Sequence, residues 1–390
     1  MLAIIAMPMM SRLYAPSDFG FLALFLAISS IVATAITMCY ETSILLPKDE
    51  KESVALVLLS FSLAVVLGLL LALIACFFPE PIKRMFGIST LGFWLPIAVL
   101  SGIPTALVAI GTVWLNRQRA YIKMTQLRIM QSSIVAIGGI AFGLYGYNSG
   151  LLITQILSPL LVMVVLLVSL HSIRTQSNKQ AILSVARKYR AAPKYLLPTA
   201  LLDVITLQLP VILITAWFSN ETAGQFSMAW RITALPMGLI GGAVGQVFLQ
   251  RFSKLWPDAR LARQLLFRTW KGLFLVGVLP TILIMVFGEQ LFSWMLGSAW
   301  GGAGKIAGII APMLFAMLVS SPTSGTFLVL GIQSYSPFFG LASLVYRPVC
   351  LSIGLITGNL FLGLLLFSVA EIIQISAYQY LVLRKLRENL

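Results

Sequence analysis

Apolar runs of about 20 to 28 residues, separated by short polar breaks, recur along the whole chain. At about 1.5 Å per residue such runs cross a hydrocarbon core of about 30 Å as helices, and they are far longer than the alternating strands of roughly 9 to 11 residues that build a membrane barrel. The pattern predicts an all-α, polytopic membrane protein with spans near 20–46, 53–78, 89–114, 124–145, 149–171, 197–218, 223–249, 269–288, 306–332, 335–357 and 359–383. A shorter apolar run, Met1 to Met10, precedes Ser11 and Arg12; it reaches about half the bilayer and reads as the outer half of a truncated first span. No basic leader or small-residue cleavage site marks it as a signal peptide.

Charge orients this series. Of the 27 Lys and Arg residues, 21 fall in the breaks after even-numbered spans and at the C-terminal end, whereas the opposite breaks carry only Arg12, Lys83, Arg84 and Lys305. Basic loops stay cytoplasmic, so both termini of the completed twelve-span plan are expected there. The net charge of +15 therefore reflects membrane topology, and no nucleic-acid partner is implied. The longest hydrophilic break, His171 to Pro193, separates an N-terminal six-helix lobe (1–171, first helix incomplete) from a C-terminal six-helix lobe (197–390), with 172–196 a basic cytoplasmic linker and a central cavity expected between lobes. In the linker Ile182, Val185, Ala186 and Tyr189 recur at helical spacing among basic residues, which reads as a helix on the membrane surface or as a solvated linker. His171, the only histidine, is expected to end a helix at the interface.

Six ionisable residues are candidates for chemistry. The chain is organised around Ala191 to Lys254, where Asp203 and Arg231 sit in two successive spans. A charge at the bilayer centre costs about 2.5 to 3.5 kcal/mol on insertion scales, so it requires a cavity or a partner. Arg231 shares its helical face with Gly224, Ser227, Gly238 and Gly242, and Arg347 shares the same offsets with Gly340, Ser343, Gly354 and Gly358. Two readings follow: both arginines, with Arg12, face an anionic substrate, or each is neutralised by a carboxylate while small residues let helices pack. Asp203 lies with Thr199, Thr206 and Pro210; Glu371 lies with Ser368, Gln374 and Tyr378; Glu41 closes a stripe of Ser30, Thr34 and Thr37. These three carboxylates are candidates for ion pairing or for carrying a coupling ion. Prolines within spans, Pro236 and Pro312 among them, mark bending points.

Enzymatic signatures fail on inspection. Gly304-Lys305 lacks both the first Gly, where Ala299 stands, and the following Ser or Thr of a P-loop, where Ile306 stands. No His or Cys cluster has zinc-ligand spacing, and Cys39, Cys76 and Cys350 all lie in spans, so no disulfide, metal or cofactor is expected.

Arg12-Leu13-Tyr14, Pro16, Asp18-Phe19-Gly20 and the span that closes on Glu41 to Pro47 resemble the opening of the bacterial polysaccharide and O-antigen flippases, and Glu221 to Phe252 continues the likeness. Asn220 to Gly224 also repeats the acidic turn and glycine of Asp18 to Gly20. The resembled family has a complete first span and a basic leader, and it shares a superfamily with the multidrug and toxin extrusion (MATE) exporters and the lipid II flippase. The resemblance implies a flippase that moves a polyprenyl-diphosphate-linked oligosaccharide across the bacterial inner membrane by alternating access. A polysaccharide polymerase, a chain-length regulator and membrane lipids are its implied partners. A MATE-like antiporter and a non-transport scaffold of a glycan-assembly complex are the alternatives; a cation pump would favour acidic groups such as Asp203 in its cavity.

Overall fold

The computed structural model describes residues 6–81, 91–169, 179–235, 237–256 and 258–388. Lys83, Arg84, His171 and Pro236, each given a role above, lie outside them. The helices in chain order are α1 (Met7–Leu13), α2 (Pro16–Thr37), α3 (Glu50–Phe77), α4 (Trp94–Arg117), α5 (Tyr121–Leu144), α6 (Gly150–Ser169), α7 (Lys179–Lys188) and α8 (Leu197–Trp217). They continue as α9 (Asn220–Thr233), α10 (Gly242–Leu255), α11 (Ala259–Leu296), α12 (Gly301–Ser320), α13 (Thr326–Val329), α14 (Ser336–Ile356) and α15 (Leu360–Arg387). Among the described residues ten helices are long and apolar enough to cross a membrane, or eleven when the bent pair α9 and α10 counts as one span. Those eleven match the eleven apolar runs in order and fit the twelve-span plan.

Packing divides the chain into two compact units, Met1–Gly224 and Gln225–Leu390. The division falls later than the break at 172–196, because α8 packs against α2 within the first unit, where the Gln208 amide donates to Ser30 Oγ at 3.0 Å. In the first unit α4 is the inner helix, with 56% of its apolar window buried against 11% for α5. In the second, α12 takes the inner position with 50%, beside α11 at 17%. The weakly buried helices turn large apolar side chains outward, as lipid-facing helices must, since hydrocarbon sets no penalty on Leu or Phe.

Where helices approach most closely, glycine decides it. A Cβ on Gly20 of α2 would fall 1.7 Å from Asn220 O, and one on Gly224 of α9 would fall 1.8 Å from Pro16 O, so backbones touch at the two glycines of the repeated sequence feature. Each helix start is capped locally, with Asp18 accepting from the Ala15 N–H at 3.0 Å and Ser219 Oγ from the Thr222 N–H at 3.0 Å, and the Tyr14 hydroxyl ties the turn before α2 to α5 by donating to Gly139 O at 2.7 Å. The Gly304-Lys305 pair has the same kind of explanation. A Cβ on Gly304 would meet Gly288 O at 2.2 Å, and Lys305 Nζ lies 3.2 Å from Glu289, so the dipeptide seals α12 onto α11.

Three expectations need correction. The span drawn over 20–46 is helical only to Thr37: Met38 (φ 53°) and Cys39 (φ 57°) are left-handed, and Tyr40–Leu45 forms a 3-10 turn. Glu41 therefore leaves the regular face of α2, yet its side chain still hydrogen-bonds Thr37 at the end of the Ser30, Thr34 and Thr37 stripe. The span over 223–249 is bent by 41° between α9 and the segment beginning at Gly238. The basic linker helix α7 does not lie free on a surface. Its Val185 is buried with Ile36, Tyr40, Ile44 and Val54, the Tyr40 hydroxyl donates to Ala186 O at 3.1 Å, and Lys188 pairs with Glu52. That bond favours the charged amine and raises Lys188 above the ordinary lysine range.

Candidate membrane-embedded charge site

The six candidate residues separate by what surrounds them. Arg347 of α14 and Glu371 of α15 meet within the second unit: both Nε and a terminal guanidinium nitrogen lie 2.6 Å from Glu371 Oε1, with side chains only 12% and 5% exposed. The guanidinium carbon also sits 5.7 Å from the Phe367 ring centroid. Burial makes the pair mutually dependent, because either partner left alone would be an uncompensated charge in low dielectric. Neighbouring polar groups are consumed in the same helix contact: Gln374 donates to Ser343 Oγ at 2.8 Å, and Tyr378 donates to Ser324 O at 3.2 Å while stacking on Phe327. Toward the Asn359 turn α14 and α15 come closer still, and a Cβ on Gly354 would lie 3.0 Å from the Gly363 Cα. The small-residue face around Arg347 is thus a packing face.

Arg231 is the opposite case. Its side chain is exposed, and among the described residues it makes no hydrogen bond or ion pair. Gly238 and Gly242, which a continuous helix would bring to its face, lie beyond the 41° bend, and a Cβ built on either meets no atom within 4 Å. Gly224 is closed by backbone contact with Pro16 and Gly20.

Asp203 of α8 is likewise exposed and without a partner among the described residues. Its neighbouring threonines do not serve it: the Thr199 hydroxyl donates to Leu196 O at 2.8 Å and that of Thr206 to Leu202 O at 2.5 Å, satisfying their own helix. Arg12 is exposed in the last turn of α1. Glu41 sits half-buried in the 3-10 turn with its Oε2 buried and unpartnered. The structure therefore joins Arg347 to Glu371 and leaves Arg231, Asp203 and Arg12 accessible. Cys39, Cys76 and Cys350 are free thiols.

Sequence reasoning passed over the polar contacts of the second unit's inner helix. The Trp270 indole donates to Thr323 Oγ1 at 3.1 Å, and the Gln379 amide reaches the Ser320 hydroxyl, leaving Gln379 Oε1 buried without a partner. Gln379 lies two turns beyond Glu371 on α15, a position that no charge or motif marks.

The exposed arginine and the closed ion pair sit in a chain whose relatives carry solutes or lipids. A curated relative, the succinoglycan biosynthesis transport protein ExoT of Rhizobium meliloti (strain 1021), is 22% identical over 98% of this chain and 77% of its own. Among solved structures, an inward-facing MATE-family multidrug resistance transporter of the MOP superfamily shares 15% identity with a TM-score of 0.77, covering 98% of this chain and 94% of that one. The lipid II flippase MurJ in an inward closed conformation shares 14% identity with a TM-score of 0.73, over 100% and 88%. At such identities these two show the fold. Residues 9–304 match the family of polysaccharide biosynthesis proteins. With three quarters of its length covered by that match, including Arg12 to Gly20 and Glu221 to Phe252, the chain belongs to the polysaccharide biosynthesis protein family.

Proposed function

We propose that the protein is a flippase for a polyprenyl-diphosphate-linked oligosaccharide, a repeat unit of O-antigen, capsule or exopolysaccharide, which it carries across the bacterial inner membrane by alternating access. The observation that carries this reading is Arg231 in the last turn of α9, exposed and without an ion pair or hydrogen bond among the described residues. An arginine in an apolar span cannot face hydrocarbon at such cost, so it needs water and an anion. A diphosphate and a hydrophilic glycan supply that anion and need that water, while the polyprenyl tail remains in lipid. Membership of a polysaccharide biosynthesis family supports the substrate class. The charge asymmetry of the loops supports cytoplasmic termini.

Of the two arginines, Arg231 is assigned to the substrate and Arg347 to the ion pair with Glu371. Exposure of Asp203 is the one observation that favours a MATE-like antiporter, but that reading also requires Arg231 to be neutralised, and no carboxylate does so among the described residues. The test is export of lipid-linked oligosaccharide from liposomes by Arg231→Ala, Arg231→Lys and Arg231→Glu proteins. Charge retention in the Lys variant with loss in Ala and Glu supports the assignment; full export by a well-folded Arg231→Ala protein removes it.

A further inference from the structure

Helix α11 runs 38 residues, about 57 Å at 1.5 Å per residue, nearly twice what a bilayer core needs. Its apolar portion begins after Lys271, so the first three turns stand at headgroup level and beyond. On those turns lies an open cavity of about 740 Å³, lined by Arg260, Arg263 and Arg268 together with Leu255, Leu261 and Phe267. Arg251, Lys254 and Lys271 flank it, and none of these six cations takes part in the ion pairs found among the described residues. Asp258 is engaged as the helix cap, accepting from the Arg260 and Leu261 N–H groups at 2.9 and 3.0 Å. The charge is therefore gathered around a hollow and left uncompensated.

A second observation gives the ligand a tail. Arg263, Phe267, Trp270 and Phe274 fall on one stripe of α11, at the offsets of a single helical face. The Arg263 guanidinium carbon lies 5.4 Å from the Phe267 centroid, Phe267 meets Trp270 edge-on at 5.4 Å, and Phe274 meets Phe315 at 5.2 Å. Trp270 and Phe274 open a separate apolar groove of about 580 Å³, shared with Phe315, Ile375, Tyr380 and Leu383 of α12 and α15. Along one helix face the surface thus changes from guanidinium to aromatic to aliphatic, in the order in which a lipid passes from phosphate to chain. Trp270 stands at the changeover, where indoles sit at a membrane boundary.

We propose that this face of α11 is a binding site for a lipid phosphate: Arg260, Arg263 and Arg268 hold the phosphate or diphosphate, and the chain lies along Phe267, Trp270 and Phe274 into the groove. The site is separate from Arg231 and does not depend on what that residue carries. Plain positive-inside topology would place cations here, but it requires neither the hollow nor the aromatic stripe leading from it.

Native mass spectrometry of the full-length chain, titrated with dioleoylphosphatidylglycerol, dioleoylphosphatidylcholine, farnesyl diphosphate and inorganic pyrophosphate, tests this. A triple variant, Arg260→Gln with Arg263→Gln and Arg268→Gln, is compared with a charge-matched control, Arg119→Gln with Lys123→Gln and Arg128→Gln, and with Phe274→Ala. The expected result is at least tenfold weaker binding of the tailed phosphates in the first triple only, a smaller loss in Phe274→Ala, and weak binding of pyrophosphate throughout. Preference for farnesyl diphosphate assigns the site to a polyprenyl carrier, and preference for phosphatidylglycerol assigns it to a bilayer lipid. Equal loss in the control triple, no loss in the first, or pyrophosphate binding as tightly as the tailed ligands overturns the proposal.

Discussion

Arg347 and Glu371 meet at 2.6 Å across the α14–α15 contact, both nearly sealed from solvent, 24 residues apart in the chain. Breaking such a pair from one side strands a buried charge at about 3 to 5 kcal/mol, whereas replacing both partners by apolar groups is often neutral. Arg347→Gln and Glu371→Leu are each expected to lower folded yield and thermal midpoint, and Arg347→Met with Glu371→Leu is expected to recover most of the loss. Fluorescence-detected size exclusion after a heat step reads this directly. A stable, inactive Arg347→Gln protein would instead move Arg347 to the substrate.

The Gly20 and Gly224 contact leaves no room for a methyl group on either backbone. Overpacking costs typically 1 to 3 kcal/mol when neighbours are flexible side chains, and here the neighbours are carbonyl oxygens. Gly20→Ala and Gly224→Ala are each expected to cut folded yield severely, while Gly146→Asn, at a left-handed turn with nothing within 4 Å, is expected to be tolerated. Normal yield of Gly20→Ala by size exclusion would refute the crossing.

Docking of α7 onto the first unit makes a prediction opposite to that for a surface-lying helix. Val185 is 3% exposed, so Val185→Asp is expected to destabilise the first unit and to expose α7 to protease. For Lys188, whose bond to Glu52 is exposed, the change to Gln is expected to have a small, salt-sensitive effect on the same protease assay. Equal protease resistance of Val185→Asp and the unchanged protein would return α7 to a free linker.

Orientation is checked with reporters inserted after Lys188, after Arg260 and within 295–304. The first two are expected to read cytoplasmic and the third periplasmic, as the loop cations require. Cytoplasmic reading at 295–304 would overturn the proposed orientation.

The spans were legible because length and apolarity are local properties: each apolar run overlaps its helix, although the ends of three, at 20–46, 269–288 and 306–332, miss by about ten residues. Breaks were less visible. Met38 and Cys39 turn the chain left-handed without a Gly or Pro to announce it, so a run that stays apolar through Leu46 concealed the end of α2. Partnership was hidden altogether. Arg231 and Arg347 carry the same small residues at the same offsets, yet one guanidinium is exposed and the other paired, because the pair depends on Glu371 of α15, a separate segment of chain. Gly20 and Gly224 looked like two similar turns, and their contact, across some two hundred residues, has no local signature.

The hairpin of α14 and α15 is fastened twice, by bare backbone contact at Gly354 and Gly363 and by the ion pair about two helical turns away. Two fasteners fix both the separation of two rods and the angle between them. Neither helix can slide or roll against its partner without lifting glycine from glycine or parting opposite charges in a dry interface. The hairpin therefore behaves as a stiff plank, and bending is left to its margin, the left-handed Gly331 and the 3-10 turn Gln333–Tyr335 that lead into α14.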